Sequence, residues 1–523
     1  MSVRKEKCLR ITEEELQAFQ QRVTSRQLLD TDYELILGLS ETIDALRQAL
    51  AEKETSIGRL CKYLLGAPTE TARNVLKDPK APKAGETAEQ PEQAKKEQKG
   101  HGRNPASAYT GGAHVTIDHP ELKSGDVCPE CDRGKVYELA MPSVFVHITG
   151  NAPLKSTVYE RSRLRCNLCG DMYTPELPAD VGDKRHDDSA AAMVAVLKYG
   201  CGMPLYRLEK MQKNLGQPVP ASTQWDILDA SAVSLAPVYE ALIQYAAQGT
   251  LVYNDDTTAK ILSLLKEQDP ESTRKGIFTT GLVSKDDDHQ VALFMTGNSH
   301  AGENLTELLQ RRATGLSPPI QMCDAASRNA SKEFESIMAN CMAHARRQFV
   351  ELVDRFPEEC EYMIGQLGLV YHHDAIAKKQ AMPPEDRLAY HQRHSRPIMD
   401  ETRKWCQRQL DEALVEPNSG LGKAIKYMLR HWEKLTRFLH VAGAPLDNNI
   451  CERALKHAIL HRKNALFYKT QHGAKVGDLF MSLIHTCQLE GINPLKYLEW
   501  LLKNASDLEK APETYLPWHY KPA

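Results

Sequence analysis

The chain has 523 residues, 41% of them hydrophobic and 26% charged, with a formal net charge of −3. That is the composition of an ordinary water-soluble protein, and it is too long for one core, so roughly three or four domains are expected. No apolar run approaches the roughly 20 residues of a membrane helix and Met1 leads into a charged stretch without a signal-peptide core, so a cytoplasmic protein with no membrane partner is expected.

Residues 33–66 read as a helix with a heptad seam. Ile36, Ile43, Leu50, Ile57 and Leu64 recur every seventh residue, with Leu39, Leu46 and Leu60 at the alternate position. This pattern predicts a coiled coil over residues 1–70 that pairs two copies of the chain, although a helix packing on its own domain would show it as well. Residues 71–112 read as a linker. From Pro79 to Gly112 there is no Val, Ile, Leu, Met or Phe, so burial cannot offset the entropy of ordering it, and disorder is expected.

Thirteen cysteines, an odd number, mostly scattered singly, speak against a disulfide framework. Four are paired. Cys128-Pro-Glu-Cys131 and Cys166-Asn-Leu-Cys169 are two knuckles 34 residues apart, with Gly134 and Gly170 at the turns that follow. Four thiolates at this spacing predict a closed, structural zinc ribbon over residues 113–180. Arg161, Arg163 and Arg165 alternate just before the second knuckle, and a strand there would present all three on one face suited to phosphate. Solvated arginines would look the same.

Residues 181–248 read as helical. Helices over Ala190–Tyr199 and Leu205–Leu215 and a new one near Ser222 have the spacing of a helix–turn–helix, which would set Ser222–Leu228 in a DNA groove. Ordinary helical packing accounts for the pattern equally. Past residue 250, Leu251-Val-Tyr, Gly276–Ser284, Gln290–Thr296 and Pro319–Cys323 are short apolar runs expected as strands, with a helix over Glu303–Arg312. Residues 331–440 read as helical, with His372, His373, His391 and His394 as solvated side chains, and residues 476–523 as C-terminal helices.

Three carboxylates stand out. Asp255 lies in Asn254-Asp-Asp-Thr257 at the end of one apolar run, Asp324 ends another, and Glu452 opens a helix after Asp447-Asn-Asn. Oxygen ligands on neighbouring strand ends and a helix are what two Mg²⁺ ions need to clamp a phosphoryl displacement. Asn449 followed three residues later by Glu452 also fits a variant of the capping box.

From about residue 100 to 503 the chain resembles the large transposase of the insertion sequence 66 family. Gly100-His-Gly-Arg103, the paired cysteines, Met203-Pro-Leu-Tyr-Arg207, Asp255-Asp-Thr257, His300-Ala-Gly-Glu303 and Asp324 stand in family order. Cys341-Met-Ala-His-Ala-Arg-Arg-Gln-Phe349, Asp447-Asn-Asn-x-x-Glu-Arg453, Arg462-Lys-Asn-x-x-Phe467 and Ser482-Leu-Ile-x-Thr-Cys487 follow. Asp256 departs from the usual Glu, and Lys456 from an Arg.

The resemblance implies a multidomain α+β protein with a ribonuclease-H-like α/β catalytic domain over residues 249–348 and 445–475, interrupted by a helical insertion over 349–444. It implies a catalytic, Mg²⁺-binding triad of Asp255, Asp324 and Glu452, with Mn²⁺ as a substitute metal. Cleavage and strand transfer on element terminal repeats and target DNA are implied, together with accessory element-encoded proteins. By their position after Asp324 and Glu452, His344, Arg346 and Arg347, and Arg453, Lys456, Arg462 and Lys463, are expected to face DNA, with surface ion pairing as the other account of them. An inactive, transposase-derived DNA-binding regulator is the alternative.

Overall fold

The computed structural model describes residues 184–267, 276–331 and 333–521 without interruption apart from those gaps, and shorter pieces between residues 19 and 181. The heptad seam beyond Ile36, the 79–112 linker and Cys166 lie outside the described residues. Two compact units divide the chain. One comprises Met1–Lys80, Pro318–Asn329 and Glu335–Asn449; the other comprises Ala81–Ser317, Ala330–Phe334 and Ile450–Ala523.

In the second unit, β1 (Leu164–Arg165) and β2 (Met172–Tyr173) pair antiparallel. Helix α1 (Asp188–Ala195) is capped by Asp187, whose carboxylate accepts the Ala190 N–H at 2.8 Å, and it runs into a π-helical turn, Val196–Gly200. Helix α2 (Leu205–Asn214) stops before Gly216, which takes the left-handed φ of +73° common past helix C-termini. Helix α3 (Ala221–Ala246) buries Leu228, Leu235, Val238 and Leu242 along one side.

Strand β3 (Leu251–Thr258), helix α4 (Leu262–Glu267), and strands β4 (Phe278–Lys285) and β5 (Gln290–Gly297) follow. β3 pairs antiparallel with β4 from Leu251↔Lys285 to Thr258↔Phe278, and β4 with β5. The 286–289 turn is fixed by Asp286 Oδ1, which accepts the N–H groups of Asp288 and His289. The sequence places Asp255 and Asp256 at a strand end. The strand instead continues through them, because β4 supplies a pairing partner for every residue to Thr258. Helix α5 (Ala301–Leu309) opens with a reciprocal capping box between His300 and Glu303.

In the first unit, β6 (Ile320–Cys323) and β7 (Ile337–Asn340) pair in parallel, Cys323 opposite Asn340. β7 falls in a stretch read from sequence as helical. Helices α6 (Met342–Val350), α7 (Pro357–Lys379), α8 (Pro384–His394), α9 (Arg396–Asp411) and α10 (Gly420–Arg430) follow. Their core includes Phe349, Met363, Ile364, Leu367, Met399, Ile425 and Met428, each at most 1% exposed. The expectation of solvated histidines fails at His391, which is 1% exposed: its Nδ1 lies 2.9 Å from Ser395 Oγ and its Nε2 3.4 Å from Asp374.

The chain ends in α11 (Asn449–Ala465), α12 (Gln471–Leu489) and α13 (Pro494–Lys503). In the second unit α12 lies along β5. The N–H groups of Gln290, Ala292, Phe294 and Thr296 donate to Glu490, Thr486, Ser482 and Asp478 respectively. Four helical residues rise roughly 6 Å and two strand residues roughly 6.8 Å, so helix and strand stay in step over four pairs. The helix thus satisfies a strand edge that would otherwise recruit another strand. The described chain is a mixed α/β structure, and none of its helices is long and apolar enough to cross a membrane.

Candidate active site

Asp255 stands opposite Gly281 of β4, and its Oδ1 accepts the N–H of Asp256 at 2.8 Å. The first turn of α11 crosses the same glycine: the Cys451 thiol donates to the Gly281 carbonyl at 3.2 Å. A Cβ on Gly281 would lie 2.9 Å from Leu455 Cγ and 3.6 Å from Cys451 Sγ, so only glycine admits the helix this close. Glu452 is the next residue along that turn. Asp255 and Glu452 therefore belong to two elements that meet at one point of β4. Asp256 is directed elsewhere: its Oδ2 lies 3.5 Å from the Ala301 N–H, at the positive end of α5.

The far end of α11 is also fixed. Arg462 Nη1 donates to Thr257 Oγ1 at 3.1 Å, to Thr258 Oγ1 at 2.6 Å and to the Thr258 carbonyl. Arg462, a DNA-contact candidate by sequence, thus fastens α11 to the end of β3. On the inner side, His461 stacks on Tyr199 and Tyr468 and lies 3.2 Å from Lys198 Nζ. Burial pushes Lys198 down to about 8 and His461 down to about 3, so at neutral pH the imidazole is the acceptor. Arg453, Lys456 and Lys463 are exposed and recur at helical spacing on the outer side.

In the first unit, Asp324 follows β6. Its Oδ1 accepts from Asn329 Nδ2 at 2.5 Å and from the Ala326 N–H at 3.0 Å. It borders a cleft of about 390 Å³ lined also by His344, Arg347, Gln348, Glu351 and Tyr427. Burial first, then the charge of Asp324, pushes the Tyr427 phenol up to about 12. Arg346 does not share this cleft; it is 8% exposed, with its charge felt at buried Tyr371. Residues 446–448 dock on the start of α6: the Met342 N–H donates to the Leu446 carbonyl at 3.0 Å and the Asn448 N–H to Cys341 Sγ at 3.3 Å. The Asn449 N–H, which a capping box would give to Glu452, donates to Asp447 Oδ1 at 3.2 Å. Sequence reading missed Gly281, Cys451, Asn329 and Tyr427, none of which carries a metal-ligand spacing.

The first cysteine knuckle is formed. Cys128 N–H donates to the Gly134 carbonyl at 2.8 Å, and the Gly134 N–H donates to Cys131 Sγ at 3.4 Å. The Arg133 and Gly134 N–H groups, then Cys128, hold the Cys131 thiol below its usual range, which favours the thiolate a metal takes. Cys169 is exposed. Arg161, Arg163 and Arg165 are all exposed, but β1 contains only the last of them, and Arg161 donates to the Pro175 carbonyl at 3.1 Å.

A model of the Transposase IS66 family matches residues 185–476, more than half of the chain. The chain belongs to this family. The match takes in strands β3 to β7, α11 and all three carboxylates, and begins beyond the cysteine-rich segment that holds β1 and β2. Among curated proteins, the chain is similar to three proteins of Sinorhizobium fredii (strain NBRC 101917 / NGR234), each described as uncharacterized. It is 28% identical to y4jD over 69% of this chain and 72% of that protein. It is 27% identical to y4hP over 62% of this chain and 61% of that protein, and 25% identical to y4qI over 63% and 62%. The chain thus spans less than two thirds of the latter two. No solved structure matches.

Proposed function

We propose that this member of the IS66 transposase family is a DDE-type DNA transposase, with Asp255, Asp324 and Glu452 as its metal-binding, catalytic carboxylates. The observation that carries the reading lies inside the family match: β3 and α11 converge on Gly281, so Asp255 and Glu452 flank one point of β4. Their oxygen donors suit hard divalent cations. Two Mg²⁺ ions, when bound, supply Lewis-acid stabilisation of the attacking and leaving oxygens of an in-line displacement.

In the proposed reaction a water oxygen bonds to phosphorus at the element end and the 3′ oxygen leaves with its bond electrons, taking a proton to become a free hydroxyl. That hydroxyl oxygen then bonds to a target phosphorus, and the target strand's own 3′ oxygen leaves with its bond electrons and takes up the proton the hydroxyl gives up. Arg453, Lys456 and Lys463 form an exposed basic face along α11 for the duplex backbone. His344 and Arg347 line the Asp324 cleft. The cysteine-rich segment, holding zinc through Cys128, Cys131, Cys166 and Cys169, and the helices around Ser222 help grip the element ends. The heptad seam pairs protomers, and element-encoded accessory proteins complete the assembly.

The test is Mg²⁺-dependent cleavage of DNA from the element ends by Asp255→Asn, Asp324→Asn and Glu452→Gln. Each variant is expected to fold, to bind the ends and to lose cleavage by orders of magnitude, because the carboxylates act as a unit. A folded Glu452→Gln protein cutting at near wild-type rate would overturn the three-carboxylate reading.

A further inference from the structure

The cleft beside Asp324 is built within one unit of the fold, and its lining is chemically mixed. Asp324, Ala325 and Ala326 form one part of it. His344, Arg347, Gln348 and Glu351 form another; their spacing along α6 and its C-terminus sets them on one helical face. The remaining lining residue is Tyr427, on α10 of the helical insertion. Tyr427 is held from its own helix by His431, whose ring centroid lies 4.7 Å away. His431 Nδ1 in turn lies 3.5 Å from Asn340 Nδ2 at the end of β7. The ring is thus braced against the strand pair that carries Asp324.

The volume, about 390 Å³, is that of a small-ligand site. Its only aliphatic side chains are Ala325 and Ala326, so a lipid or other hydrocarbon ligand would find little to bury against. An aromatic face, an amide, a guanidinium and a carboxylate beside the proposed metal positions are together what one nucleotide presents surfaces to. A base in a duplex already has both faces stacked, so Tyr427 can only stack on a base that has left the helix.

We propose that the cleft is a subsite for one unpaired nucleotide of the DNA strand: Tyr427 stacks on its base, Gln348 bonds its edge and Arg347 holds its phosphate. The proposal rests on the reading of Asp324 as an active-site carboxylate. It makes the helical insertion part of the substrate site. Tyr427 is then a positioning residue for the strand.

The experiment uses the full-length protein and a short single strand of thymidines with 2-aminopurine at its centre. Binding is expected to quench the fluorophore by stacking. Tyr427→Ala should abolish the quench and weaken binding roughly tenfold to a hundredfold; Tyr427→Phe, which keeps the ring, should preserve both. A Tyr427→Ala protein that melts like the wild type and still binds and quenches equally would overturn the subsite. So would a folded Tyr427→Phe protein that no longer quenches, which keeps the test decisive if the alanine variant does not fold. Cleavage of end DNA by the wild type and Asp324→Asn is scored separately. A wild type that cuts without any Tyr427-dependent quench defeats the subsite alone. A wild type that quenches through Tyr427 yet never cuts supports the subsite and defeats the catalytic reading.

Discussion

The Cys451 thiol donates to the carbonyl oxygen of Gly281 at 3.2 Å, and this contact sets α11 against β4 at the residue paired with Asp255. The position of Glu452 relative to β3 therefore depends on a glycine that carries no chemistry itself. A methyl group at Gly281 would press on Leu455 at 2.9 Å, and both partners are buried. Gly281→Ala is expected to cost about 1–3 kcal/mol through overpacking and to lower the melting temperature by a few degrees. Cleavage should fall by more than that loss of folded protein accounts for, since small displacements of a reacting geometry are costly. A melting curve beside a cleavage assay decides it: an unchanged variant in both would show that the approach of α11 is not tight.

The knuckle geometry around Cys128 and Cys131 leads to a prediction about metal. Thiolate ligation contributes directly to folding in a segment too small for its own core. The purified protein is expected to carry about one zinc per chain. Chelation at neutral pH should open residues 113–180 to protease and leave residues 184–521 resistant. Cys131→Ser should lose the metal. A protein purified without zinc, or one in which chelation exposes the strands around Asp255 equally, would count against a separate zinc-held segment.

Sequence reading found β3, β4, β5 and β6 because each contains an apolar run bounded by polar or turn residues. It missed β7 because Ile337-Met-Ala-Asn340 is four residues long and too short to show a period. It could not separate Arg346 from Arg347. Adjacent helical residues point about 100° apart, and nothing local says which of the two turns inward. Likewise Asp374 and His391 come together only because α7 and α8 pack, and their separation in the chain gives no sign of it. The spacing of Asp478, Ser482, Thr486 and Glu490 is legible as a polar stripe on an apolar helix. Its meaning is not, because the partner is a strand nearly two hundred residues earlier.

Asp374, 2% exposed, is the hub of an ion network among helices α7 and α8. Its Oδ1 accepts from Arg387 at 2.7 Å, and its Oδ2 lies 2.7 Å from Lys378 Nζ. Burial alone would raise this carboxyl, but the His391 contact and the charges of Arg387 and Lys378 outweigh it and hold the group well below its usual range. A depressed folded-state value means the contribution is complete above the unfolded value near pH 4 and is lost as pH falls through the lower folded value. Asp374→Asn should cost about 1–3 kcal/mol at pH 7, from the loss of charge-assisted hydrogen bonds to half-buried Arg387 and exposed Lys378. The gap from wild type should narrow below about pH 4. Parallel melting curves with equal stability at pH 7 would sink this account.

Asp478 runs the opposite way. Its carboxylate accepts the Thr296 N–H at 2.7 Å and the Thr296 hydroxyl at 2.6 Å. Burial is nevertheless the larger influence: it pushes the carboxyl up to about 8, against those hydrogen bonds and the charge of Lys475. The folded state then holds a proton between about pH 4 and 8 that the unfolded chain has released. This group's contribution is full below pH 4 and is lost as pH rises toward 8, with a slope on the order of 1 kcal/mol per pH unit. In the protonated form the acid donates to Thr296 Oγ1, which can pass its own hydrogen to Thr279 Oγ1 at 2.9 Å. Asparagine reproduces that pattern, its amide donating to Thr296 Oγ1 and its oxygen accepting the Thr296 N–H. Asp478→Asn is therefore expected to match the wild type near pH 4, to exceed it in melting temperature at pH 8, and to flatten the slope between. The check is a series of melting curves across that interval for both proteins. If the variant is less stable than the wild type at pH 8, Asp478 is a charged cap of the β5 edge and its proton plays no part in holding α12 there.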